Sequence, residues 1–202
     1  MKIVPSYVIT SKKQLAVLSS GVRQEIADVL AQLKRASVST LAAALGRPAD
    51  ALYYHLRLLE GAGLVNKAGM ARRDGRREVL YGAAGAELRI DYEVARREAK
   101  KQLVAITGAM SRLAVRDVRH ALADETVILS GPTRALWVKR KTGWLMPSDL
   151  RRIGTKIESL GSEMARPVNG AQLYGVTIVF TPLKHRRRPI KAARKAARAN
   201  SK

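Results

Sequence analysis

Cysteine is absent from the 202 residues. Disulfides, thiolate metal sites and cysteine nucleophiles are thereby excluded, as suits a reducing cytoplasm. Aromatic residues make up only 4%, with a single phenylalanine, so a core has to be built from aliphatic side chains. Acid is scarce as well: 16 Asp/Glu stand against 38 Lys/Arg, a net charge of +22. No run of about 18 apolar residues occurs, which excludes a membrane-spanning helix. The opening MKIVPSYVIT has Pro5 and polar residues where a signal peptide needs an unbroken apolar stretch, so no signal peptide is expected.

What is present is a globular composition, 47% hydrophobic and 27% charged, with enough apolar material for a packed core. A surplus of +22 repels itself and calls for a polyanion, either nucleic acid or an anionic membrane surface; nucleic acid is the stronger expectation. Residues 1–85 carry 13 Lys/Arg and 6 Asp/Glu, residues 86–183 carry 16 and 10, and residues 184–202 carry nine and none. These three stretches are the expected divisions: a DNA-binding domain, a dimerisation and possible effector region, and a disordered basic tail.

Leu15, Leu18, Val22, Ile26, Val29, Leu30 and Leu33 recur at helical spacing over residues 14–18 and 21–33. STLAAALG predicts a short second helix, capped by Ser39 and ended by Gly46. Pro48 suits the first turn of a third helix reaching about Gly61. GLVNKAG and EVLYGA then predict two short strands joined by the arginine-rich loop MARRDGRR, with Asp-Gly at its tip. Three helices and a hairpin form the order of a winged helix-turn-helix. From Glu87 to Leu122 the pattern is helical again, and Thr107-Gly108 is the place for a kink or break. TVILSGPTRALWVKRKTGWLM, residues 126–146, holds β-rich pieces between turns. Leu150, Ile153, Ile157, Leu160 and Met164 form a narrow seam of the kind that packs helix on helix. QLYGVTIVF alternates and predicts a strand, ended by Pro182. In the tail, Lys191, Arg194, Lys195 and Arg198 fall at i, i+3, i+4 and i+7, one face of a helix that a polyanion could induce.

The stretch from Tyr7 to Tyr81 resembles the ArsR-like winged helix-turn-helix transcriptional regulators. The resemblance is carried by YVITSKKQLAVLSSGVRQEIADVLAQL, STLAAALGRPADALYYHLRLLEGAGLV and REVLY, with YHL followed by LLEGAGLV as its most specific part. WLMPSDLRRIG and VTIVFTPL are similar to the C-terminal extension of a subgroup. The resemblance implies selective binding of duplex DNA by a homodimer, one recognition helix per subunit in successive major grooves. Carried over by position, Ala49, Asp50, Tyr53, Tyr54 and Arg57 face bases and phosphates, and Arg72, Arg73, Arg76 and Arg77 form the wing. Metal-sensing members use cysteine pairs on the recognition helix, so that activity does not transfer. Tyr53 stands where the family often has a small polar residue.

The residues point the same way. A major groove about 12 Å wide admits one helix whose outward side chains donate to bases or phosphates. Arg57 can do either, while tyrosines offer a hydroxyl and a ring. One of the two tyrosines could instead pack under the wing, and His55 is expected to be a structural hydrogen-bonder. Four arginines around an Asp-Gly turn suit a narrow minor groove; the alternative is a solvated hairpin tip. Asp117, His120 and Asp124 share a helical face with metal-ligand spacing, against the plainer reading of surface charge, and no metal is expected. Trp137, Trp144 and Tyr174 either line an effector pocket or fill a core. His55, His120 and His185 lie in separate segments and no phosphate loop or nucleophile elbow occurs, so neither an enzyme nor a cofactor is expected. The fold class is mainly α (α+β): a winged helix-turn-helix, a helical dimerisation region and a short β element. The expected function is a nucleoid-associated, cytoplasmic, homodimeric regulator of transcription on double-stranded DNA. The rival is an architectural protein coating DNA with little sequence preference.

Overall fold

The computed structural model describes residues 6–73, 75–165 and 171–183. In chain order the elements are β1 (Tyr7–Ile9), α1 (Lys12–Val17), α2 (Gly21–Leu33), β2 (Ala36–Ser37), α3 (Val38–Leu45) and α4 (Ala49–Gly61). They continue with β3 (Val65–Arg73), β4 (Arg76–Ala83), β5 (Leu88–Ile90), α5 (Tyr92–Glu98), α6 (Lys100–Ala123) and α7 (Pro147–Met164). The chain divides into two compact units. One runs through Val127 and includes residues 171–177; the other holds residues 128–165 and 178–183.

The core of the first unit follows from the helical spacing. Ile26 and Leu30 of α2, Leu41 of α3, and Leu52, Leu56 and Leu59 of α4 are fully buried together. Ser37, two residues earlier than expected, caps α3 by accepting from the Thr40 amide at 3.3 Å. That frees Ser39 to donate to the Glu78 carboxylate at 3.0 and 3.1 Å, tying α3 to β4. The sheet is antiparallel in the order β2-β4-β3, and Leu64, Val65 and Tyr81 close it over the helices.

Three differences from the sequence reading concern the end of this unit. Residues 88–90 form a strand, not the start of a helix, and pair in parallel with β1, Tyr7 against Leu88 and Ile9 against Ile90. Gly85 makes that approach feasible, since a Cβ there would lie 2.9 Å from the Tyr7 amide nitrogen and Cβ. The helical break falls at Ala99, whose φ of −139° ends α5, and α6 runs through Thr107-Gly108 without interruption. A helical glycine costs only about 1 kcal/mol relative to alanine, less than the burial of Ile106 and Ala109 beside it provides. Finally, Ala95, Ala99 and Ile106 belong to the same core as the winged domain, so the first unit extends well past residue 85. Buried Gln24 joins these layers by donating to the carbonyls of Leu18 at 2.6 Å and Ile106 at 3.4 Å.

In the second unit α7 starts as Pro147 and Asp149 require. The Asp149 carboxylate accepts from the Met146 amide at 2.9 Å and so closes a capping box. No residue of α7 is buried. The expected β pieces within residues 126–146 do not form, and residues 171–183 carry no strand. An alternating pattern specifies which faces a strand would have; it does not supply the neighbouring edge that completes the hydrogen bonds. Trp137, Trp144 and Tyr174 do not fill a core, for all three are exposed. Arg134 lies over the Trp137 ring, 3.6 Å from its centre.

Candidate nucleic-acid interface

Gly46 ends α3 in the left-handed region at φ +59°, a conformation with little cost only for glycine. The chain then turns through Arg47 and Pro48 into α4. On one side of α4, Leu52, Leu56 and Leu59 are buried in the core. On the other, Asp50, Tyr53, Tyr54 and Arg57 are exposed, and their positions at i, i+3, i+4 and i+7 place them on one face. Tyr53 is 49% and Tyr54 57% accessible, so neither ring is tucked under the wing. Ala49 is half-buried at the margin of the core.

His55 sits at the edge of this face. Its ring meets that of Tyr54 edge-on, with centroids 5.4 Å apart. The expected structural hydrogen bond is missing: Nδ1 is buried without a partner. Burial first, and then the positive charges of Arg23 and Arg47, lower its pKa from the usual 6.5. The imidazole is therefore held neutral and adds no charge to the face.

Behind the recognition helix lies a polar junction that sequence reasoning missed. Glu25 of α2 accepts from Arg47 at 2.9 Å and pairs with Arg116 of α6 at 2.7 Å. Arg116 also pairs with its neighbour Asp117. One carboxylate thus ties α2 to the turn before the recognition helix and to α6. Its partners are 22 and 91 positions away in sequence, and no local pattern announces a pairing at such separations.

The wing differs from the expected arginine-rich loop. Its strands extend through Arg73 and from Arg76, with Gly75 between them at φ +77°. Arg72 lies opposite Arg77, and Arg73 opposite Arg76, in the backbone register. Arg72 and Arg77 are exposed. A bulge between Lys67 and Gly69 interrupts the ladder nearer the core. The tail cations Lys191, Arg194, Lys195 and Arg198 lie outside the described residues.

The alternative metal face does not gather. Asp117 is engaged by Arg116, and Asp124 accepts from the amide and hydroxyl of Thr126 at 2.9 and 2.6 Å. Among the described residues no group of three or more His, Asp or Glu is arranged to hold a metal ion. Nor, among them, is any helix long and apolar enough to cross a membrane.

A helix-turn-helix backed by a two-stranded wing, with an exposed polar face on its second helix, defines the winged helix-turn-helix class of DNA-binding proteins. Residues 18–68 match the family described as a helix-turn-helix domain. The N-terminal part is thus a helix-turn-helix domain, which marks a DNA-binding regulator. The match ends at Ala68, inside β3, and does not touch the C-terminal extension. No curated protein matches the chain.

Proposed function

We propose that the protein is a homodimeric, non-enzymatic transcriptional regulator that binds particular double-stranded DNA sequences. The recognition helix α4 enters the major groove, and the arginine-bearing wing follows the backbone into the adjacent minor groove. The observation that carries this reading is the division of α4. Three fully buried leucines hold it rigidly, while Tyr53, Tyr54 and Arg57 stand exposed on the opposite face. Rigid support matters because base contacts depend on geometry at the scale of a hydrogen bond. Arg57 supplies the donor for a base edge or phosphate. The tyrosines offer hydroxyls to phosphates and rings to thymine methyl groups. Support for the homodimer comes from Val104, Val115 and Leu122 exposed on α6 and from the apolar seam of α7, together with the two-fold symmetry with which such helices meet successive grooves.

The test separates the recognition helix from the tail. Wild type, Arg57→Ala, Tyr54→Ala and a chain lacking residues 184–202 are titrated against a selected site and a scrambled duplex over a salt series. Loss of a bidentate base contact costs about 1–3 kcal/mol on the selected site and less on scrambled DNA. Removing the nine tail cations weakens both duplexes alike and lowers the log–log salt slope by roughly 3 to 6, given about 0.9 per phosphate contact. If the helix variants leave the selected-to-scrambled ratio unchanged, the exposed face reads no sequence and the architectural reading takes its place.

A further inference from the structure

Helix α7 is well specified yet none of its residues is fully buried, Ile153, Ile157 and Met164 being half-buried. Its Pro147 start and capping box are in place, while Leu150 and Leu160 remain 48% and 37% exposed. Its seam of Leu150, Ile153, Ile157, Leu160 and Met164 alternates steps of three and four residues, the spacing of a helix meant to pack along another. Gly154 and Gly161 lie seven residues apart on one flank of that seam. A Cβ at either would meet nothing within 4 Å, so nothing among the described residues asks for glycine there. Glycine inside a helix is nonetheless destabilising relative to alanine. The other flank carries Asp149, Lys156 and Glu163, in that order along the chain, with Lys156 and Glu163 exposed.

From this pattern we infer that α7 pairs in antiparallel fashion with α7 of a second copy, Ile157 of each facing Leu160 of the other. This rests on the homodimer proposed above and assigns part of its interface. In that register Ile153 faces Met164 of the second copy, and Lys156 lies beside Glu163 of the second copy. The two-fold axis repeats each contact, so both ionic pairs form. Gly154 and Gly161 of the second copy meet on the opposite flank, where the absence of side chains lets the backbones come close.

Charge distinguishes this arrangement from its neighbours. Sliding one helix by one heptad sets Ile157 against Ile153, which brings Lys156 onto Lys156 and Asp149 onto Glu163, two repulsive contacts. A parallel pairing sets each charged flank against the glycine flank and gains no ion pair. The chain's own acidic and basic positions therefore complement a second copy in one register only. An apolar seam with this flanking pattern does not match DNA, whose contacts fall on phosphates and base edges.

The test uses the full chain in sedimentation equilibrium, with circular dichroism confirming the fold of each variant. Lys156→Glu and Glu163→Lys each replace two attractive contacts per dimer by two repulsive ones and raise the dimer dissociation constant about tenfold. The double exchange, carrying both changes, restores attraction with reversed polarity and returns the constant to near wild type. Gly161→Leu preserves the helix but weakens the dimer. A wild-type dimer unaffected by the single reversals overturns the α7 pairing and leaves the homodimer to α6. A dimer that Glu163→Lys strengthens overturns this register in favour of the slid one. A wild-type monomer at micromolar concentration overturns the homodimer itself, and the pairing with it.

Discussion

The winged unit and the C-terminal part use the same aliphatic vocabulary to opposite effect. Among the described residues every buried apolar side chain lies between Ile9 and Ala109, whereas sixteen large exposed hydrophobics lie beyond Val127. Leu56 of α4 and Leu160 of α7 both sit at positions with helical spacing, yet one is sealed in a core and the other is not. Contiguous apolar surface is a common mark of contact with another molecule, which is the role proposed above for α7. The lesson is that periodicity tells which side of a helix is to be covered. Only the rest of the fold tells whether the chain covers that side itself.

The sharpest way to break this contrast is to truncate one leucine in each region and vary the protein concentration. Leu56→Ala removes a fully buried side chain and costs about 2–5 kcal/mol, the same at high and low concentration in urea unfolding. Leu160→Ala is nearly silent in dilute solution and loses stability only where dimers form, because association stabilises by mass action. Equal, concentration-independent losses at both sites would erase the distinction.

A smaller effect is expected at the polar junction inside the winged unit. Glu25→Gln keeps the shape but gives up the charge that holds Arg47 and Arg116. Both arginines keep about a third of their side-chain surface in solvent, so the loss is about 1–2 kcal/mol rather than that of a sealed ion pair. Urea denaturation measures it directly. In a double-mutant cycle, Arg116→Met on top of Glu25→Gln should add little; full additivity would show that the two do not act together.

The smallest effect is one of pH. His55 has a folded pKa below its ordinary 6.5, so the unfolded chain binds the proton more readily. Its contribution is present above pH 6.5 and is lost as the pH falls into the acid range. Asp28 on α2 acts with the opposite sign. Crowding by surrounding protein, and then the negative Glu25, push its carboxyl up to about 6, although the side chain keeps an exposed edge that softens the effect. The informative quantity is therefore the difference between wild type and His55→Gln across the acid limb. A wild-type curve no steeper than that of the variant would contradict a suppressed imidazole.

Much of the winged unit was legible because its signals are local. Helical spacing placed α2, α3 and α4, Gly46 marked the turn, and GLV followed by REVLY marked the wing strands. The opposite face of α4 was legible too, since burying Leu52, Leu56 and Leu59 leaves the three-and-four-spaced polar positions outside. What escaped was non-local. The three-residue strands β1 and β5 are too short for a period of two to stand out, and they recognise each other across about eighty residues. Likewise nothing near Glu25 foretells Arg116. The C-terminal strand was misread for the converse reason: QLYGVTIVF has the right residues but pairs with no strand among the described residues.

The hairpin of β3 and β4 has one further mechanical consequence. β2 joins the ladder only at Leu80 and Tyr81 and Ser39 holds β4 at Glu78, so only the residues beyond Glu78 project as a two-stranded ribbon. Such a ribbon is marginal in water when nothing packs on it. Here its outer part also sets Arg72 opposite Arg77, and like charges directly across a ladder destabilise it. The wing is thus a cantilever loaded at its free end, and its stiffness depends on the ionic surroundings. Added salt screens the load weakly and from all sides, whereas a line of phosphates neutralises it where it sits. The same arginines that loosen the tip in dilute buffer are those that would brace it against a polyanion.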